Sequence, residues 1–229
     1  MTEVNYLESL NPLQYESVCS TEGPNLIIAG AGTGKTKVLT TRVAHIIDNN
    51  LAFPSQILCV TFTNKAAREM SERVQKLVSQ NMEKMPWMGT FHSIGAKIIR
   101  NHAEVIGLKQ SFTILDKDDQ LSLIKQIIKA ENLDQSQFSP KLIQSKIDHW
   151  KNKALNPNDI KSESLDNLVD EKSLSIYKIY QARLFEINCL DFGDLLLQCI
   201  NLFKVTDIHK RYSNNFKYIH VDEYQDTNA

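Results

Sequence analysis

The sequence predicts an α/β fold in which a doubly wound parallel β-sheet is flanked by helices and interrupted by a mostly helical subdomain. Three short apolar runs without polar alternation indicate strands buried on both faces of such a sheet: Leu26–Ala29, Ile57–Phe62 and Tyr218–Val221. Helical patterns lie between these runs, and this alternation is typical of doubly wound domains.

A helix is expected after each of the first two strands, because apolar residues recur there on one helical face. These residues are Leu39, Val43, Ile46 and Ile47 in the first helix, and Met70, Val74, Leu77 and Val78 in the second. Asn64 is the expected N-cap of the second helix.

The composition changes from about Lys109 to Cys189, where the chain becomes rich in Lys, Ser, Gln and Asn. Its apolar residues again recur at helical spacing, as in Leu121, Ile124, Ile127 and Ile128, and in Ile176, Ile179, Tyr180 and Leu184. We therefore expect a helical subdomain over 109–189 and a sheet domain formed by 1–108 and 190–229.

Composition narrows the class of protein. Of the 229 residues, 42% are apolar and 23% charged, which is ordinary for a soluble globular chain, and the net charge of −1 argues mildly against a strongly basic polyanion binder. The four cysteines form no C-x-x-C pair, and no apolar stretch approaches membrane-spanning length. These features predict a cytoplasmic protein with free thiols and no membrane partner, and we expect a monomer.

A glycine-rich stretch, Ala29–Thr36, directly follows the first apolar run and predicts a phosphate-binding loop. Successive backbone N–H groups and the start of a helix bind phosphate oxygens, Lys35 adds a positive charge, and Thr36 offers a hydroxyl to Mg²⁺. Ala29 stands where the general pattern has its first glycine. An ordinary glycine-rich turn is the alternative for this stretch taken alone.

Two adjacent carboxylates, Asp222 and Glu223, follow the third apolar run. Ligands bind at the carboxyl ends of strands in open α/β sheets, so both should face the phosphate loop. Asp222 would hold Mg²⁺, and Glu223 would orient and deprotonate an attacking water. A solvated helix cap is the alternative, but the pair and the loop together predict hydrolysis of ATP or GTP with Lys35 and Glu223 as catalytic residues.

Three further segments set a phenylalanine among small polar residues: Thr61–Ala67, Gly89–Ser93 and Asp191–Leu195. Aromatic rings at strand ends or helix starts can stack on bases, which is how single strands are bound with little sequence preference. The alternatives are core phenylalanines, a structural His92, and Asp191 and Asp194 as helix N-caps.

Together these segments resemble, from about Leu10 to Asn228, superfamily 1A DNA helicases of the UvrD, PcrA and Rep type. Leu10–Gln14 is similar to the family's Q motif, and Ala29–Thr36 matches its phosphate loop, including the alanine. Thr61–Ala67 and Thr90–Ser93 are similar to motifs Ia and Ib. Asp222–Asn228 matches motif II.

The resemblance implies a RecA-like domain 1A, formed by 1–108 and 190–229, and a helical subdomain 1B over 109–189. It implies that ATP is contacted by Gln14, Ala29, Gly30, Ala31, Gly32, Thr33, Gly34, Lys35, Thr36 and Lys37, with Gln14 reading the adenine edge. It implies Mg²⁺ at Thr36 and Asp222. It implies DNA contacts at Thr61, Phe62, Thr63, Asn64, Thr90, Phe91, His92 and Phe192, although Gly193 stands where relatives usually carry an acidic residue.

The implied activity is that of the amino-terminal portion of an ATP-dependent 3′ to 5′ DNA helicase acting on single-stranded DNA and duplex/single-strand junctions. Relatives continue with C-terminal helicase domains whose arginine fingers complete the ATP site, so we expect this chain alone to hydrolyse ATP weakly or not at all. A helicase-nuclease subunit, a single-strand-binding module with an incomplete ATP site, and a small P-loop kinase or GTPase remain the alternatives.

Overall fold

A computed structural model describes residues 6–78, 85–161 and 167–227. These form two compact units, one made of residues up to 94 together with 210–227, and one made of 95–209. The described helices are α1 (Pro12–Cys19), α2 (Lys35–Asp48), α3 (Asn64–Leu77), α4 (Phe91–Asn101), α5 (Lys117–Ala130), α6 (Pro140–Asn152), α7 (Leu168–Glu186), α8 (Phe192–Phe203) and α9 (Thr206–Asn215). The strands are β1 (Ile57–Thr61), β2 (Met88–Thr90), β3 (Thr113–Leu115), β4 (Cys189–Asp191) and β5 (Tyr218–Val221), and single 3-10 turns lie at Pro54–Gln56, Ala103–Ile106 and Tyr224–Asp226.

The first unit contains a parallel sheet in the order β2-β1-β5, which confirms the predicted α/β class and parallel sheet. Cys59 in the central strand lies opposite Met88 on one side and His220 on the other. Burial of the central strand on both faces explains why its sequence shows no polar alternation. The buried residues of this core come from the sheet, from α2 and from α3: Val43, Ile46, Ile57, Cys59, Met70 and Val74 are among them.

The predicted first strand, Leu26–Ala29, is wrong: the structure gives these residues no strand pairing. Leu26 and Ile28 are 72% and 88% exposed. A strand needs a neighbour for its backbone N–H and C=O groups, and within the described residues the sheet ends at β5. An apolar sequence can make a segment suitable for a sheet, but it does not supply the partner strand.

The N-cap of α3 also differs from the prediction by one residue. Thr63 has extended backbone (φ −120°, ψ 145°), and its side chain accepts a hydrogen bond from the N–H of Ala66, whereas Asn64 is already the first helical residue. Both residue types cap well. The backbone conformation decides between them, and the residue pattern does not reveal it.

The second unit packs helices α5, α6 and α7 together beside the short parallel pair of β3 and β4. Its core contains the predicted stripes of α5 and α7, including Ile124, Ile127, Ile128, Ile176, Tyr180 and Leu184. The assignment of 109–189 as a separate subdomain stays a prediction. No described helix is both long and apolar enough to cross a membrane.

Candidate nucleotide and nucleic-acid sites

The predicted phosphate loop lies directly before the start of α2. Gly32 and Gly34 have φ of 76° and 89°, values that favour glycine, and the Thr33 hydroxyl closes the turn by donating to the Gly30 carbonyl at 2.7 Å. Because α2 begins at Lys35, the N–H groups of its first turn have no partner within the helix. The loop therefore has the backbone arrangement that binds anions.

Lys35 connects this loop to the segment after β5. Its Nζ lies 3.9 Å from Oε2 of Glu223 and donates to the Ala29 carbonyl at 3.5 Å. Both members of the ion pair are about one third exposed (34% and 38%), so we assign it little stabilising energy. The structure thus places the lysine beside the second acidic residue, and a phosphate group could take the place of that carboxylate.

A cavity of about 390 Å³ lies over the loop. Its lining consists of loop residues, the first turn of α2, one residue of α3 and the acidic segment: Gly30, Ala31, Gly32, Gly34, Lys35, Thr36, Lys37, Arg73 and Glu223. Arg73 was missed from the sequence, where it is one charged residue among several on an amphipathic helix. Its guanidinium is paired loosely, at 3.6 Å, with Glu69 of the same helix.

Asp222 is 7% exposed and continues the pairing of β5, since its N–H donates to the Val60 carbonyl at 2.9 Å. The Thr61 hydroxyl donates to its Oδ2 at 3.4 Å. Burial, reinforced by the charge of Glu223, raises the pKa of Asp222. A cation would relieve both effects, and the oxygen donors of Asp222 and Thr36 are of the kind that Mg²⁺ prefers.

Glu223 has a left-handed backbone conformation (φ 50°, ψ 49°), which costs a non-glycine residue about 1 kcal/mol or more. Such conformations cluster at functional sites. The rest of the acidic motif forms a 3-10 turn at Tyr224–Asp226, and Asn228 lies outside the described residues.

Gln14 is joined to the phosphate loop. Its Nε2 donates to the Thr33 carbonyl at 3.0 Å, and its Oε1 accepts from the Asn11 N–H at 3.1 Å as part of the capping box of α1. Lys37 reaches the same amino-terminal region through its bond to the Ser9 carbonyl. Both ends of the Gln14 amide are therefore engaged by protein atoms in this structure.

Phe62 and Phe91 form a pair at the edge of the sheet. Thr61 of β1 lies opposite Thr90 of β2, so the residues that follow these strands emerge side by side. The two ring centroids are 5.3 Å apart with an interplanar angle of 59°, and Phe62 is 40% exposed. The structure brings these two predicted DNA contacts together.

The polar residues around this pair have local roles. Thr63 caps α3, and the Thr90 hydroxyl accepts from the Ser93 N–H at 3.1 Å. Thr61 is buried, and its hydroxyl donates to Asp222, so it lies beside the acidic segment rather than on the surface. Asn64 is exposed, and burial lowers the pKa of the half-buried His92.

Phe192 belongs to the second unit, where it is the first residue of α8 and 45% exposed. Asp191 is the N-cap, and its carboxylate and that of Asp194 each accept the other's backbone N–H in a capping box. The capping role considered for these two aspartates is therefore confirmed.

The motifs and this geometry agree with the comparison with known protein families. The family described as UvrD/REP helicase N-terminal domain matches residues 10–229. The chain belongs to this family.

Relatives within the UvrD/REP family include ATP-dependent DNA helicase PcrA from Staphylococcus aureus, 47% identical over 97% of this chain. The PcrA proteins of Leuconostoc citreum and Staphylococcus epidermidis are 46% and 45% identical over 96% and 97% of it. In each case the chain spans about 30% of the relative's length (30%, 29% and 30%).

Proposed function

We propose that this chain is the ATP-binding and single-strand-binding amino-terminal portion of an ATP-dependent 3′ to 5′ DNA helicase. The observation that carries the proposal is the shared cavity in which the glycine-rich loop, Lys35 and Glu223 meet. The chain would supply one part of an ATP site and one part of a DNA track, which the C-terminal helicase domains complete.

The loop amides and Lys35 would bind the β- and γ-phosphates. Thr36 and Asp222 would hold Mg²⁺, which neutralises phosphate charge when bound. Glu223 would accept a proton from the attacking water, because it lies in the cavity beside Lys35. For Gln14 to read the adenine edge, its amide would exchange its bond to the Thr33 carbonyl for the base.

Single-stranded DNA would stack on exposed aromatic rings. The pair of Phe62 and Phe91 supports such a contact in the first unit, and the exposed ring of Phe192 supports one in the second. Stacking needs little net positive charge, in agreement with the formal charge of −1. We further propose that 1–108 and 190–229 correspond to domain 1A, and 109–189 to domain 1B, acting in the cytoplasm at single-stranded DNA and its junctions with duplex.

Titration with fluorescent ATP and Mg²⁺ tests the nucleotide site. Lys35→Met should weaken binding by at least about tenfold, since a charged hydrogen bond to phosphate is lost. Lys65→Met is the matched control, because Lys65 is an exposed lysine on α3 that does not line the cavity. If both variants and the parent chain bind ATP with equal affinity, the proposed nucleotide site is wrong.

A second titration, with labelled single-stranded DNA in the presence and absence of ATP, separates a motor fragment from a simple binding module. A motor fragment should bind DNA with an affinity that changes on ATP addition, whereas DNA affinity independent of ATP favours the module. Hydrolysis should be slow, because an arginine supplied by another domain can be worth about 10³–10⁵ in rate. Fast DNA-stimulated turnover by this chain alone would contradict the assignment of an incomplete site.

A further inference from the structure

A buried lysine holds the start of α8. The Lys151 side chain, on α6, is 0% exposed, and its Nζ lies 2.7 Å from Oδ2 of Asp191 and 2.8 Å from Oδ1 of Asp194. These are the two carboxylates that form the capping box of α8. A single ammonium group therefore joins the N-cap residue to the third helical residue.

An ordinary capping box does not need such a group. The Asp194 N–H donates to the Asp191 carboxylate at 2.9 Å and the Asp191 N–H to the Asp194 carboxylate at 3.1 Å, and these two bonds already satisfy the cap. Exposed carboxylates would complete the motif at little desolvation cost, yet both are buried here, at 2% and 0% exposure. Burial of a charged cluster contributes little net stability compared with apolar packing. The geometry that the cluster fixes therefore explains it better than stability does.

The surroundings leave the cluster little freedom. The Tyr180 hydroxyl donates to Asp191 at 2.8 Å, and Gln181 donates to Asp194 at 3.1 Å. The Nζ of Lys151 also lies 5.2 Å from the ring centroid of Tyr180 and 5.6 Å from that of Tyr177. Contacts from α7 and α6 thus fix both carboxylates in one arrangement.

The aliphatic part of Lys151 also packs against the backbone between the two aspartates. A Cβ built on Gly193 would lie 2.9 Å from Cδ and 3.1 Å from Cβ of Lys151. The Cβ contact is close to the main chain of α6, so it could not be relieved by a movement of the lysine tip alone. Gly193 thereby allows the lysine to approach, which accounts for glycine at this position.

Phe192 lies in the sequence between the residues that contact Lys151. Its neighbours Asp191 and Gly193 are buried or packed against Lys151, and Asp194 is fully buried, whereas Phe192 itself is 45% exposed. A ring on the surface is thus carried by a backbone that is fixed on both sides.

We propose that Lys151 is a positioning residue for nucleic-acid binding: by joining Asp191 to Asp194, it fixes the backbone that presents the Phe192 ring to a nucleobase. This inference rests on the proposed function, because the ligand is single-stranded DNA. Lys151 itself is buried and acts only through the start of α8.

The test compares Lys151→Met with Phe192→Ala in titrations of labelled oligothymidylate. Each should weaken DNA binding by about fivefold or more, the lower end expected for loss of one stacked base. The double variant should bind no worse than Phe192→Ala. Lys146→Met is the matched control, because it removes a lysine from the same helix that pairs with Asp170 and does not touch the cap. It should bind like the parent chain.

A compensated variant separates position from stability. Lys151→Met combined with Asp191→Asn and Asp194→Asn removes the ammonium bridge without leaving an unpaired buried carboxylate, and Asn also caps helices, so this variant should lose less stability than Lys151→Met and still bind DNA weakly. Recovery of DNA affinity in this variant would overturn the positioning role, as would additive losses in Lys151→Met and Phe192→Ala.

A measurement made without DNA tests the positioning role of Lys151 separately from the proposed DNA-binding function. With a fluorinated phenylalanine at position 192, the parent chain should give one sharp NMR resonance and the compensated variant a broadened or divided one. If the parent chain binds no DNA, the proposed function fails, while this spectrum still reports on position. An identical sharp resonance in both proteins would overturn the role of Lys151.

Discussion

Substitution of Gly34 by alanine tests whether the shape of the glycine loop is what binds phosphate. Gly34 has φ +89°, and the left-handed region costs a residue with a Cβ about 1–2 kcal/mol. The new Cβ would also lie 3.1 Å from Nε2 of Gln14, so the 3.0 Å bond from Gln14 to Thr33 must shift. Because Gln14 would leave Thr33 in any case to read the adenine edge, the shift of that bond does not add to the cost of binding, which stays at about 1–2 kcal/mol.

If the loop must adopt this shape to bind nucleotide, the conformational cost weakens the free energy of ATP binding by the same amount. Gly34→Ala should then weaken ATP binding by about 5- to 30-fold. In a Gln14→Ala background, where the contact is absent, the loss should stay at about 5- to 30-fold, since it is due to backbone conformation.

Gly23→Ala is the control for these titrations. Gly23 has a similar φ of +71°, nothing lies within 4 Å of its added Cβ, and it does not line the cavity. This variant should bind ATP like the parent chain. Parent-like affinity of Gly34→Ala would show that the loop's conformation does not determine binding, and the argument for a preorganised phosphate site would be lost.

Three further predictions concern residues of other elements. Arg73→Gln should reduce the preference for ATP over ADP by about fivefold, as expected for one half-exposed charge near phosphate, and Arg68→Gln, exposed and outside the cavity, should not. Phe62→Ala should weaken binding of single-stranded DNA by about fivefold or more, measured by anisotropy, while the exposed Phe53→Ala should leave it unchanged. Burial raises the pKa of Asp194 from its ordinary value of 3.8 to about 6, so the folded state binds more protons between these values and stability should rise on acidification. Urea unfolding should show a gain of about 1 kcal/mol from this group between pH 7 and pH 5, absent in Asp194→Asn.

The sequence predicted those parts of the fold whose signals are local. The strands Ile57–Thr61 and Tyr218–Val221 and the helices α2, α3, α5 and α7 follow from runs and spacings within a dozen residues. The strands β2, β3 and β4 were not predicted, because three residues are too few to show a period. A strand of this length is recognised only from its partner.

The candidate site could be predicted as a set of residues but not as a set of contacts. Lys35 and Glu223 were expected to meet, because strand ends converge at one edge of a parallel sheet, and they lie 3.9 Å apart. Arg73 and Lys151 were missed. In the sequence each is one basic residue among several on a charged helix. Only the fold shows that Lys151 pairs with Asp191 and that Arg73 shares a cavity with Glu223, and both partners are distant in the sequence.

The error at Leu26–Ala29 has the same physical origin. This segment has the composition of a buried strand, yet Leu26 and Ile28 are exposed, and Ile219 of β5 is 61% exposed. Apolar side chains favour burial in general, but backbone pairing requires a specific neighbouring strand, and the described sheet offers none. The helical side of the phosphate loop is therefore fixed by local bonds within α2, whereas its strand side depends on contacts that a local pattern cannot specify.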